Sequence, residues 1–193
     1  MKVVILAGGI GSRLSEETKL TPKPLLRIGK HPILIHIMNR YIKFKYTNFI
    51  LCCGYKYVQF INYFKDNGYS IEKKSNKYFK LTKKDISVEI VNTGKNTFTG
   101  KRILKVRKYL NEDDLFFATY GDGVSNVNLK KLLKFHNKHK RIATLTAVNP
   151  PARFGAIKIN NGLVSEFKEK LDNLDTWING GFFIFNKKIF NYL

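Results

Sequence analysis

Residues 1–14 read MKVVILAGGIGSRL. Residues 3–7 of this stretch form a short, unbroken apolar run. A strand at the centre of a sheet reads this way, because both of its faces are covered. The run stops at Gly8-Gly9, and Gly11 follows. Glycine lets a ligand approach the main chain, and inward-turned backbone N–H groups form an anion-binding concavity. Arg13 adds a planar fork suited to phosphate oxygens. The stretch predicts a buried strand that runs into a phosphate-cradling loop. It is not the dinucleotide fingerprint, because Leu14 stands where the third glycine belongs, and it lacks the Lys-Ser/Thr pair of a Walker loop. A tight strand-to-loop turn with no ligand produces the same spacing.

A second stretch, Thr21-Pro22-Lys23-Pro24-Leu25, adds to the first. The prolines fix their own φ and restrict the residues before them. Lys23 is therefore carried on a stiffened segment, as a lysine held at a set distance from a triphosphate needs to be. A braced loop with an ordinary solvated lysine is the plainer alternative.

The chain has 193 residues, enough for one domain with a sizeable core, and its 44% apolar content is that of a globular protein, not a disordered one. No apolar run approaches the roughly 18 residues of a membrane span, and the opening run is broken by glycine too early for a signal peptide. Cys52 and Cys53 are adjacent in an apolar strand-like run, so they point to opposite faces and do not pair. Reduced, buried thiols fit a cytoplasmic protein. His136 and His139 lie three apart, but no cysteine or carboxylate spacing completes a metal site with them. The formal charge of +21 invites a nucleic-acid partner. The lysines are spread over the whole chain, however, and do not form one stripe. The densest cluster, residues 72–84, reads as a solvated surface arm or, given Tyr78 and Phe79 between its charges, as a nucleic-acid loop.

Helical spacing over residues 31–45, 57–65, 102–110 and 129–137 alternates with strand-like runs at 47–53, 86–91, 115–120 and 143–148. This alternation predicts an α/β fold, a Rossmann-like and mostly parallel sheet with helices on both faces. Ligands of such sheets sit at the carboxyl ends of the strands, where residues 8–13, 92–102 and 121–123 all fall. Asp122, between two glycines, is placed to hold Mg²⁺ against phosphates, although a turn aspartate capping its own loop looks the same. Beyond residue 150 the character changes. Asn160-Asn161-Gly162 between two apolar runs signals a hairpin, and residues 182–185 form another apolar strand. The expected organisation is a single domain over 1–193, with a core at 1–150 and a small β-rich part beginning at 151.

LAGGIGSRLSEET, PKPL, CCGYK, NTGKNTFTGKR, ATYGDGVSNV, RFGAI, SEFKEK and WINGGFFIF are spread from one end of the chain to the other. In these stretches the sequence resembles the sugar-1-phosphate nucleotidylyltransferases, and the CCGYK, TG-rich and WINGGFF stretches resemble their cytidylyl branch. The resemblance implies the nucleotide-diphospho-sugar transferase fold, CTP and glucose 1-phosphate as substrates, and Mg²⁺ as cofactor. It implies nucleotide contacts from Leu6, Ala7, Gly8, Gly9, Ile10, Gly11, Ser12, Arg13, Lys23, Thr97, Arg102 and Gly121. Arg13, Lys23 and Asp122 would be the catalytic residues, with Asp122 on the metal. Gly155, Glu169, Lys170 and Asn179 would hold the sugar phosphate, and full-length members would be homo-oligomers. The sugar phosphate is already ionised at neutral pH, its second pKa being about 6, so no general base is required. Three positions depart from the family pattern: Ser12 replaces Thr, Lys101 replaces Gly and Leu171 replaces Pro. The family also extends beyond the equivalent of Leu193 and carries a second metal-binding Asp there, so a C-terminally truncated product is expected. A nucleotide-binding but inactive chain, a thymidylyl or uridylyl transferase, and a nucleic-acid binder are the alternatives.

Overall fold

The computed structural model describes residues 1–9, 20–110, 112–150, 156–168 and 177–193. In chain order its elements are β1 (Val3–Ala7), β2 (Arg27–Ile28), β3 (His31–Pro32), α1 (Ile33–Ile42), β4 (Asn48–Cys53), α2 (Tyr57–Asp66), β5 (Ser70–Ser75), β6 (Tyr78–Lys83), β7 (Ile86–Asn92), α3 (Thr99–Lys105), β8 (Leu115–Tyr120), α4 (Leu129–His139), β9 (Ala143–Val148), β10 (Ala156–Asn160), β11 (Leu163–Lys168) and β12 (Ile178–Asn186). Eight strands form one sheet in the order β5-β6-β7-β4-β1-β8-β12-β9. The inner four, β7-β4-β1-β8, are parallel, while β6 and β12 flank them antiparallel. The expected Rossmann-like α/β architecture is present, with the parallel part confined to the middle of the sheet.

β1 is the axis of this arrangement. It pairs on one side with β4, Val3 opposite Phe49, and on the other with β8, Val3 opposite Phe117. Its alternate residues feed two separate cores. Val3, Ile5 and Ala7 join the core beneath α1, α2 and α4, where Leu34, Tyr41, Phe60 and Leu129 are buried. Val4 joins Ile50, Ile103, Val106 and Phe190 on the opposite face. Strand alternation therefore explains why the run is apolar throughout. It also separates the cysteines: Cys53 lies in the first core and Cys52 in the second, both free thiols. Burial pushes the Cys52 thiol up to about 12, with the Arg102 charge opposing.

The lysine-rich stretch 72–84, expected as a solvated surface arm or a nucleic-acid loop, is a largely exposed element with regular strand pairing. It is the β5–β6 hairpin, paired antiparallel with β7. Leu81 is fully buried, and Phe79 and Tyr78 pack on opposite cores. These apolar positions are interspersed with lysines, which hides them from a reading of charge density. β5 itself is exposed along its whole length, and lysines on such an edge discourage pairing with another chain. The helix expected over 102–110 starts earlier and is broken: α3 ends at Lys105 and a 3-10 turn covers Arg107–Tyr109.

Two compact units make up the chain, Met1–Thr144 with Gly181–Leu193, and Leu145–Gly180. The second contains the β10–β11 hairpin, turning at Asn161-Gly162 as the sequence predicts, with both turn residues at positive φ. Among the described residues no helix is long and apolar enough to cross a membrane.

The α4 histidines share one hydroxyl. Thr144 Oγ1 lies 2.7 Å from His136 Nδ1 and 2.7 Å from His139 Nε2. The Arg141 N–H donates to His139 Nδ1, so His139 carries its proton on Nε2 and donates it to Thr144. The threonine hydroxyl is then free to donate to His136 Nδ1. A proton added at that nitrogen would break the relay. Burial, and then the neighbouring His139, hold His136 below the ordinary histidine value. The unfolded chain consequently takes up this proton first, and the associated stability is complete above about pH 6.5 and lost as pH falls below it. Urea denaturation between pH 7.5 and 5 should show this decline, and His136→Leu should flatten it. An unchanged slope in the variant would refute the relay.

Candidate active site

The inner four strands run in one direction, so their carboxyl ends share an edge of the sheet. The chain leaves β1 through Gly8-Gly9, β4 through Gly54, β7 through Thr93-Gly94 and β8 through Gly121-Asp122. A cavity of about 300 Å³ opens at this edge, lined by residues 6–9, Lys23, Pro24, residues 97–99, Arg102 and residues 120–122.

Arg102 ties three of these strand ends together. From α3, its Nη1 donates to Thr93 Oγ1 (2.6 Å), Gly94 O (2.8 Å) and Cys53 O (3.3 Å). Its Nη2 donates to Gly8 O (2.8 Å) and Lys95 O (3.1 Å). The guanidinium is buried, and desolvation lowers its pKa from the ordinary arginine value. It packs so closely on Gly8 that any Cβ there would collide with it, and a Cβ on Gly54 would lie 2.8 Å from Nη1. One turn on, Lys105 Nζ donates to Thr93 O (2.6 Å) and to Thr97 Oγ1 (3.1 Å), and Thr97 Oγ1 also donates to Thr93 O (2.7 Å). Two cations on α3 thus fix the loop after β7, with Gly94 at φ +100° making its turn.

Lys23 reaches the cavity from the opposite side. Its segment forms a 3-10 turn in which Leu25 N donates to Pro22 O. Pro24 is buried, and a Cβ on Gly121 would lie 3.0 Å from its Cγ. The Pro-Lys-Pro frame is therefore docked on the end of β8. Lys23 Nζ meets Asp122 Oδ2 at 2.8 Å, with both side chains partly exposed. Asp122 fits a metal bound in the manner of Mg²⁺: an accessible oxygen donor beside the cavity. The described residues hold no group of three or more metal-ligating side chains. The rest of the coordination shell would come from ligand phosphates and water, which is usual for Mg²⁺.

Of the residues expected from sequence, Leu6, Ala7, Gly8, Gly9, Lys23, Thr97, Arg102, Gly121 and Asp122 surround this one cavity. Ile10, Gly11, Ser12, Arg13, Gly155, Glu169 and Lys170 lie outside the described residues. Asn179 is exposed on β12, in the second unit. The sequence reading placed Thr93, Phe98 and Thr99 in the 92–102 loop and Pro24 in the frame of Lys23 without giving them roles in the site, and it passed over Tyr120 in the lining and Gly54 and Lys105 behind it. Gly54 stands directly after an apolar strand, which is the same signal that revealed Gly8.

Residues 2–193 match the family described as nucleotidyl transferase. The chain belongs to that family. The glucose-1-phosphate cytidylyltransferase of Salmonella typhimurium is 43% identical over all of this chain and 78% of its own length. The D-glycero-alpha-D-manno-heptose 1-phosphate guanylyltransferase of Campylobacter jejuni is 31% identical, covering 99% of this chain and 78% of its own length. Among solved structures, HddC from Yersinia pseudotuberculosis complexed with GMP-PN superposes with a TM-score of 0.67 at 24% identity, covering 100% of this chain and 79% of that one. It shares the fold of this nucleotidyl transferase.

The carbonyl clamp separates two adjacent glycines. Gly8→Ala should lower stability by at least about 2 kcal/mol, because displacing the guanidinium breaks several charge-assisted hydrogen bonds. A Cβ on Gly9 meets nothing within 4 Å among the described residues, so Gly9→Ala should stay within about 0.5 kcal/mol of wild type. Urea denaturation of both variants checks the contrast.

Proposed function

We propose that the chain transfers the cytidylyl group of CTP to α-D-glucose 1-phosphate, giving CDP-glucose and pyrophosphate. The observation that carries this reading is the lysine–carboxylate pair, 2.8 Å apart, at a cavity with a glycine-rich backbone wall. Such a site suits a polyphosphate and its counter-ion. The choice of cytidine and glucose follows the Salmonella relative.

A non-bridging oxygen of the sugar phosphate attacks the α-phosphorus of CTP. The bond from that phosphorus to the bridging oxygen breaks, and pyrophosphate leaves with the electron pair. No proton has to move, since the attacking phosphate is already ionised. The enzyme's task is to align two anions that repel each other and to neutralise charge as it develops. Lys23 would place its ammonium on the phosphate oxygens, and the N–H groups of the Gly8-Gly9 turn would hold the nucleotide. Gly121 would let the nucleoside approach the end of β8. Thr97 would keep the second loop against the nucleotide, and Arg102 would hold the floor in shape. Asp122 would hold Mg²⁺, which supplies charge neutralisation on the phosphates when bound. Arg13 would add a second cation, while Glu169, Lys170, Gly155 and Asn179 would receive the sugar phosphate. A cytoplasmic setting fits the two free thiols, and a homo-oligomer is the expected assembly. The guanylyltransferase relative favours a second reading, in which a base other than cytosine is used.

Pyrophosphate release should be measured with glucose 1-phosphate, Mg²⁺ and each of CTP, UTP, dTTP, ATP and GTP. Turnover with CTP above all others is expected, and preference for another nucleotide would overturn the cytidylyl assignment. Lys23→Ala and Asp122→Ala should each lower kcat at least about 100-fold. Their thermal midpoints should barely move, because a partly exposed ion pair contributes at most about 1 kcal/mol. A folded variant with full activity would remove that residue from the mechanism.

A further inference from the structure

Phe98 is the most exposed of the described large apolar side chains, at 86%. It makes no ring contact with another described aromatic or cationic group. A large aromatic on a mobile surface loop would carry little meaning, but the backbone under Phe98 is tied on both sides. Before it, Thr97 is bonded to Thr93 O and Lys105 Nζ. After it, the Phe98 carbonyl accepts the first bond of α3, from Arg102 N at 3.0 Å. Arg102 is in turn fixed to three strand ends. The ring therefore stands in water on one of the best-anchored segments of the site, and it lines the cavity that holds Lys23 and Asp122.

This cavity has two chemically different parts. Lys23 and Asp122 form a charged part suited to phosphates and a metal. Phe98 supplies a flat apolar surface, and at the end of β1 the place of a Cβ on Gly9 has nothing within 4 Å among the described residues. A nucleotide has the matching pair of ends, a polyphosphate and a planar base with an apolar face. Every base has such a face, and stacking on an aromatic side chain contributes to binding whatever its hydrogen-bonding edge.

We propose that Phe98 is the platform on which the nucleobase stacks, and so a determinant of nucleotide affinity. The inference rests on reading the cavity as the nucleotide site. It explains why an apolar ring is held in solvent: bound nucleotide would remove its face from water. It also gives the clamp around Arg102 a second role, because the clamp holds the backbone that carries the ring before the ligand arrives and reduces the ordering cost of binding.

Isothermal titration of the whole chain with CTP and, separately, with inorganic tripolyphosphate, both with Mg²⁺, tests this. Phe98→Ala should weaken CTP binding roughly five- to hundredfold and leave tripolyphosphate binding unchanged. Phe98→Tyr, which keeps the π face, should restore CTP affinity. The thermal midpoint of Phe98→Ala should match wild type, since the ring buries almost nothing in the free protein. Unchanged CTP affinity in Phe98→Ala would overturn the proposal. So would an equal loss for tripolyphosphate, which would mean that the ring shapes the phosphate end. A fall in sedimentation coefficient with unchanged CTP affinity would assign the ring to a contact between chains instead. If wild type binds tripolyphosphate but CTP no better, the reading of the cavity as a nucleotide site fails as well.

Discussion

A buried guanidinium with no described carboxylate partner governs the site end of this molecule. Taking a cation out of water is costly, and Arg102 is solvated instead by backbone carbonyls and one hydroxyl. Those five oxygens lie at the last residue of β4 or in the turns that follow β1 and β7. The geometry works only if the turns come within hydrogen-bond reach of a single side chain. Gly8 and Gly54 cannot carry a Cβ for that reason. The loop after β7 must turn back at Gly94, and α3 must begin where it does. A requirement for solvating one charge thus sets the positions of residues far apart in sequence.

The same side chain shows how far the sequence could be read. The VVILA run announced a central strand, because its two-sided burial leaves an unmistakable one-dimensional trace. Cys52 and Cys53 announced opposite faces for the same reason. Asp122 was legible as a candidate at a strand end and Lys23 as one on a proline-stiffened segment, and the structure brings them together. Arg102 was legible only through the family resemblance, as a nucleotide contact. The number of its bonds to carbonyls was not legible, because nothing in the local sequence says which distant turns a guanidinium will meet. The β5–β6 hairpin was hidden by another mechanism. An edge hairpin buries few side chains, and its Leu81 and Phe79 are diluted by lysines that guard the edge. Residues 10–19 and 169–176 carry much of what the family resemblance implies for phosphate and sugar, and they stand on the sequence alone.

The net charge of +21 would not account for the proposed phosphate binding. At physiological ionic strength, exposed charges are screened over about 8 Å, so lysines on the β5 edge or on α4 contribute little field inside the cavity. Its own described ionic groups are few: Lys23, Arg102 and Asp122. Lys23 and Asp122 largely cancel while they face each other at 2.8 Å. On the proposed function, recognition of a polyphosphate would therefore come from oriented groups close by, the N–H groups of the glycine turn and an ammonium held by its proline frame. A metal ion that draws Asp122 away from Lys23 would leave that ammonium uncompensated beside the phosphates. On the proposed function, positive charge would be freed when the anionic ligand and its cation arrive together. Such behaviour would suit the proposed chemistry, which consists of holding two anions in line.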